Sequence, residues 1–308
     1  MKTNAVTPSA WPPALACSCC ARGPGAALSR RGFFTGLVAA GAAPLLAGMP
    51  APAAAADPEC HRSSLADLVP AADVEAAARQ EYLQLMQEAK GKNVLAAADD
   101  PQLERLRYIA ARMIPLTVSC NERARAWKWE VQLLRTDSLN AFCMPGGKIA
   151  FFSGILSKLK LSDDEVAIIM GHETSHALLE HARERMAKSG GTSMGLRALS
   201  ALLGLGNLGD LAAQAGAQLL SLKYSRDDEG EADALGLLLA ARSGYDPRAG
   251  VSLWQKMAQA SAGRAPPAWL STHPAGPDRI REIERRLPRA QPEFERAARP
   301  DRRFPAAG

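Results

Sequence analysis

The chain has 308 residues and six cysteines; 47% of its residues are hydrophobic, and its formal net charge is +5. The first 56 residues hold Lys2, Arg22, Arg30 and Arg31 and no acid, so without them the charge falls from +5 to +1. That near balance excludes a nucleic-acid partner argued from charge, and the remaining length of about 250 residues suits one domain with a substantial core.

Ser29-Arg30-Arg31-Gly32-Phe33-Phe34 opens an uncharged stretch, Gly32 to Ala56, that ends in Ala54-Ala55-Ala56. The order resembles a twin-arginine export signal over residues 1–56, cleaved before Asp57, and implies a periplasmic address. If retained, a stretch of this length would anchor a membrane instead. Cys17, Cys19 and Cys20 leave with the signal. Cys60, Cys120 and Cys143 fit one disulfide and a free thiol, or three buried thiols. Ala71 to Lys90 and Pro101 to Met113 read as amphipathic helices, the second opened by Asp100 with proline at its first position. Trp127 to Leu134 is strand-like. Asn140 to Met144, a Pro145-Gly146-Gly147 turn and Lys148 to Phe152 read as a hairpin, the Pro-Gly pair suiting a type II turn.

Ser162-Asp163-Asp164-Glu165 has the form of a capping box, and the apolar run behind it contains His172-Glu173-Thr174-Ser175-His176. Residues four apart share a helix face, so His172 and His176 can present ring nitrogens to one Zn²⁺, with Glu173 placed as general base. The apolar flanks bury this helix, and a buried histidine pair with an adjacent carboxylate calls for a compensating cation. The helix is expected to run on through His181 to about Ala187. A three-histidine site would need Gly at 179 and His at 182, where the chain has Leu179 and Ala182, so the third ligand comes from elsewhere. Ser225 and Asp228 begin a second helix on which Glu229 and Asp233 share a face. Glu229 is the expected third metal ligand and Asp233 the carboxylate that orients a ligand histidine. Glu231 points elsewhere and complements the helix dipole. His61 and His181 read as structural or surface groups.

Gly190 to Leu222 is Gly-rich and apolar and reads as a packed helical hairpin, or as a mobile or membrane-leaning cover of the site; Arg197 and Asp210 argue against a span. His273, in Ser271-Thr272-His273-Pro274, is expected to reach the site as a fourth zinc ligand or an oxyanion donor, with Arg226 and Tyr224 as alternatives for the latter. Its proline neighbour biases it away from helical angles. Residues 291–308 read as a loose Arg- and Pro-rich tail behind a solvated helix face.

The pairing of H-E-x-x-H with a later S-R-x-x-E-x-E-A-D and a T-H-P resembles zinc peptidase family M forty-eight over about residues 70 to 290. That family includes HtpX-type, CAAX prenyl, OMA-type and periplasmic proteases. The resemblance implies zinc ligands His172, His176 and Glu229, base Glu173 and supporting Asp233. It implies an α+β, mainly α, zincin-like fold with a small antiparallel sheet at the site, in a domain over residues 57–290. In such peptidases an edge strand binds the substrate backbone by strand addition. Lys148, Ile149, Ala150 and Phe151, with Asn140 and Ala141, are the expected residues for it; the alternative for Ile149 and Phe151 is that they only pack the sheet against the metal helix. The expected function is a zinc metalloendopeptidase in envelope quality control, acting on unfolded or misassembled proteins, with no nucleic-acid partner; a peripheral membrane contact is compatible with the apolar segment. The alternatives are a chaperone-like assembly factor with rare cleavage, and a metal-stabilised binding module that the intact ligand and base set disfavours.

Overall fold

The computed structural model describes residues 59–190, 223–262, 267–273 and 278–307. The expected signal segment, the apolar stretch from 191 to 222 and Pro274 lie outside the described residues. Helix α1 spans Ala71–Gly91 and α2 spans Pro101–Met113, where the Asp100 carboxylate accepts from the amides of Gln102 (2.8 Å) and Leu103 (3.3 Å). Strand β1 is Glu130–Leu134, shorter than the expected Trp127 to Leu134. The indoles explain the late start: Trp127 Nε1 donates to Glu75 of α1, and Trp129 Nε1 to the Ala124 carbonyl of the preceding turn.

Strands β2 (Ala141–Met144) and β3 (Lys148–Phe152) form the expected hairpin. Gly147 N donates to Met144 O at 3.2 Å, and Gly146 at φ 84° supplies the left-handed position of a type II turn. The sheet is mixed and not wholly antiparallel, because β1 pairs parallel to β3 in the order β1-β3-β2. Strand alternation splits its faces. Val131, Leu133, Ala141, Cys143, Ile149 and Phe151 join the main core under the site, while Leu134, Met144 and Ala150 pack toward Val74, Ala78 and Tyr82 of α1.

After α3 (Ser153–Lys158), helix α4 (Asp163–Leu178) starts at the Ser162–Glu165 capping box, and each of its residues except Asp164 is buried. The expected single helix to Ala187 is interrupted: Glu180 sits at φ 59°, and α5 (His181–Gly190) starts in a new direction. Glu180 is pinned there by Arg183 and by Arg62, its Oε2 3.0 Å from Arg62 Nη1. Helix α6 (Arg226–Arg242) opens at a second capping box, Ser225 with Asp228, and packs along α4. Helices α7 (Ala249–Ser261), α8 (Ala268–Thr272) and α9 (Arg279–Arg296) complete the described chain.

Cys60 and Cys120 form a disulfide and Cys143 is a buried free thiol. The tail is not loose. Helix α9 continues through Pro288 and Pro292, its buried stripe of Arg279, Ile283 and Ala290 lying against α6 and α7. Beyond it Asp301 N donates to Tyr108 Oη (3.0 Å) and Phe304 N to Asp163 Oδ2 (2.9 Å), which straps the segment onto α2 and α4. No helix among the described residues is long and apolar enough to cross a membrane.

Candidate active site

Two glycines set how closely the helices that carry the site approach. A Cβ on Gly171 would stand 2.6 Å from Gly236 O, and one on Gly236 would stand 2.7 Å from His172 N. Only glycine fits at either position, so α4 and α6 meet backbone to backbone. That contact lies one residue before His172 and seven residues after Glu229, and it brings the acid onto the histidines.

His172, His176, Glu229 and His273 are all buried and offer ligand atoms within 4.8 Å of one another. His172 Nε2 is 3.1 Å from His176 Nε2, and Glu229 oxygens lie 3.5 Å from each. Hydrogen-bond partners assign the protons. His172 Nδ1 faces Asp233 Oδ1 at 3.0 Å, and a carboxylate only accepts, so in the neutral ring the proton is on Nδ1 and Nε2 carries a lone pair. His176 Nδ1 faces His181 Nδ1 at 2.8 Å, and His181 Nε2 faces the Glu231 carboxylate at 3.2 Å. A neutral His181 donates to Glu231 and accepts from His176, which leaves the His176 lone pair on Nε2 as well.

Three acceptors therefore converge without a proton among them, an arrangement that is costly when buried unless a cation lies between. A tetrahedral ion with bonds of about 2.0–2.1 Å holds its ligands about 3.3 Å apart, close to the 3.1 Å between the two rings and the 3.5 Å from each ring to its nearer Glu229 oxygen. The residues fit a metal ion. His273 Nδ1, 2.9 Å from Glu229 Oε1 and 3.2 Å from His172 Nε2, donates to Glu229 when protonated and completes a four-atom ligand group when not.

Burial and neighbouring charges shift these groups. Burial pushes His176 well below the ordinary histidine value, toward the neutral ligand form. Burial works to raise Glu229, but the His176 and His273 rings against it hold it far below the usual carboxylate range. Asp233 is also held low despite burial, chiefly by Arg279, whose Nε and Nη2 each donate to it at 2.8 Å. Arg279 also bonds Glu229, and its guanidinium lies 3.9 Å from the Trp254 ring centre. Its charge offsets two buried carboxylates that would otherwise repel.

Glu173 is buried beside the ligands, with Oε1 accepting from Trp269 Nε1 at 2.5 Å and lying 3.4 Å from His273 Nε2. It faces a small cleft that runs along β2 past Asn140, Ala141 and Cys143. The expected use of Lys148, Ile149, Ala150 and Phe151 for strand addition does not fit. They lie on β3, which is central and paired on both edges, and all four are buried. Among the described residues the open edge beside the site is β2. Asn140 O accepts from Phe152 N, so the alternating backbone groups of Ala141 and Cys143 point away from β3.

A model for Peptidase family M48 matches residues 102–287, which contain every group just described. The chain belongs to peptidase family M48. It is 39% identical over 171 residues to "Mitochondrial metalloendopeptidase OMA1" of Schizosaccharomyces pombe, a match covering 53% of this chain and 48% of that one. It is 40% identical over 151 residues to the protein of that name in Arabidopsis thaliana, covering 49% and 30%. Against "Metalloprotease LoiP" of Escherichia coli it is 28% identical over 214 residues, covering 66% and 78%. The matches span about half or less of the length of these two OMA1 relatives.

In this member of family M48 the structure brings His172, Glu173, His176, Glu229, Asp233 and His273 into one buried group. Of the alternatives to His273, Tyr224 reaches the site, stacked on His176 with ring centres 3.9 Å apart. Arg226 is exposed. Sequence reasoning missed three groups. Arg279 stands in an Arg-rich run that reads as solvated. Trp269 has no motif around it. His181 looks like a histidine out of register, and it contacts a ligand because the helix break at Glu180 turns it back.

Proposed function

We propose that this chain is a zinc-dependent metalloendopeptidase that cleaves unfolded or misassembled proteins of the bacterial envelope. The convergence of three proton-free acceptors beside Glu173 carries the reading. Two imidazoles and a carboxylate are the donor set of catalytic zinc sites. Zinc there would supply Lewis acidity to the scissile carbonyl and lower the pKa of an attacking water. Glu173 accepts the water proton and delivers it to the leaving amine, and Trp269 Nε1 fixes the orientation of its carboxylate. The open edge of β2 pairs with an extended substrate backbone, which selects segments free of secondary structure.

Glu173→Gln should retain metal and fold and lose hydrolysis of an unfolded protein by several orders of magnitude, on the order of 10³-fold or more. Turnover near the native rate would remove Glu173 as the base. A second reading, an assembly factor whose cleavage is latent, draws on His273, which in the fourth ligand position shuts out the water. In the same assay His273→Ala should raise basal hydrolysis; a fall with metal retained would make His273 an oxyanion donor instead.

Periplasmic export by the twin-arginine route rests on Arg30-Arg31 and the uncharged stretch behind it. Arg30→Lys with Arg31→Lys should leave an uncleaved cytoplasmic precursor. Normal processing of that variant would exclude the route.

A further inference from the structure

His181 is 1% exposed and stands outside the metal group, yet it makes the closest contact to the far side of a ligand, Nδ1 to Nδ1 of His176 at 2.8 Å. Five positions along an unbroken helix are about 140° round, so His181 would face away from His176. The left-handed Glu180 prevents that: it ends α4 and starts α5 with His181 turned back onto the site. A positive φ at a non-glycine residue is disfavoured, and here the Arg62 and Arg183 contacts to Glu180 hold it. The other ring nitrogen of His181 meets Glu231, whose side chain is 52% exposed.

The two ligand histidines thus have different supports. His172 has the buried Asp233 carboxylate. His176 has a histidine, and a histidine can present either a proton or a lone pair at Nδ1. Only the lone pair is compatible with metal binding. A proton on His181 Nδ1 would drive the His176 proton to Nε2, into the 3.1 Å gap to His172 Nε2, where a metal ion has to bind. In a neutral His181 ring Glu231 settles the choice, since a carboxylate requires the single ring proton at Nε2. We infer that His181, with Glu231 behind it, is a positioning residue that fixes the tautomer of His176 and so keeps its Nε2 lone pair available to the metal. The inference rests on the zinc reading above.

The test separates a tautomer role from a packing role. With ¹⁵N-labelled histidines, zinc-loaded native protein should show a scalar coupling across the hydrogen bond between His176 Nδ1 and His181 Nδ1, with the proton on His176. His181→Asn places an amide oxygen where Nδ1 stood and should hold the zinc Kd within about threefold. His181→Leu, with no acceptor, should raise the Kd about 10- to 100-fold, the usual cost of losing a partner behind a ligand. A His181→Leu protein that binds zinc within about threefold of native, or a proton found on His181 Nδ1 in the loaded protein, overturns the inference while the zinc reading stands. If His181→Leu does not fold, the coupling in the native protein decides alone. A native protein that takes up no zinc overturns both.

Discussion

Arg279 is a buried cation held between two acids that the metal site needs. Its removal does more than delete hydrogen bonds, because it leaves Asp233 and Glu229 side by side in a low-dielectric interior. Breaking a buried pair in this way costs about 3–5 kcal/mol, against about 0–1 for a surface pair. Arg279→Met should therefore lower the urea-unfolding free energy of the metal-free protein by about 3–5 kcal/mol. Arg281→Met, at an exposed position of the same helix, should stay within about 0.5 kcal/mol. Equal effects of the two would remove the buried-cation account. The sequence shows no distinction between these arginines. The helical stripe that buries Arg279 becomes visible only with α6 and Trp254 in place.

The α4–α6 contact sets the distance from Glu229 to the histidines, and Gly171 and Gly236 are where it is tightest. Gly236→Ala should force the two backbones apart, lower stability by about 1–3 kcal/mol and weaken metal binding as Glu229 withdraws. Gly230→Ala is the internal control. Its Cβ would meet only Arg286 Nη2 at 3.5 Å, so the helix-propensity gain of up to about 1 kcal/mol should appear. Thermal unfolding and a zinc titration of both variants check the pair; a harmless Gly236→Ala would contradict the close-approach account. Local signals foretold these helices well. The Ser162–Glu165 and Ser225–Asp228 capping boxes start α4 and α6 where the sequence places them, and Asp100 with Pro101 starts α2. Pairings between distant segments were not legible. The parallel partnership of β1 with β3 is the clearest case, and it is what makes β3 central and leaves β2 as the edge beside Glu173.

At the scale of the whole described chain, the site is an assembly of segments far apart in sequence. Helix α4 gives two ligands and the base, α6 the third ligand and its helper carboxylate, the α8 end His273, and α9 the cation that neutralises them. His172, His176 and Glu229 could be read from one sequence because helix periodicity alone puts each on a usable face. Trp269, Arg279 and His181 could not, since their roles arise only where three or four elements meet. This assembly is expected to hold one zinc ion through proton-free acceptors. Zinc per chain, measured by elemental mass spectrometry on purified native protein, Glu229→Ala and Asp227→Ala, the last an exposed acid in the same helical turn, gives the test. The prediction is about one zinc in the native protein and in Asp227→Ala, and loss of most of it in Glu229→Ala. Native protein without zinc, or a Glu229→Ala protein that keeps a full equivalent, would contradict the claim.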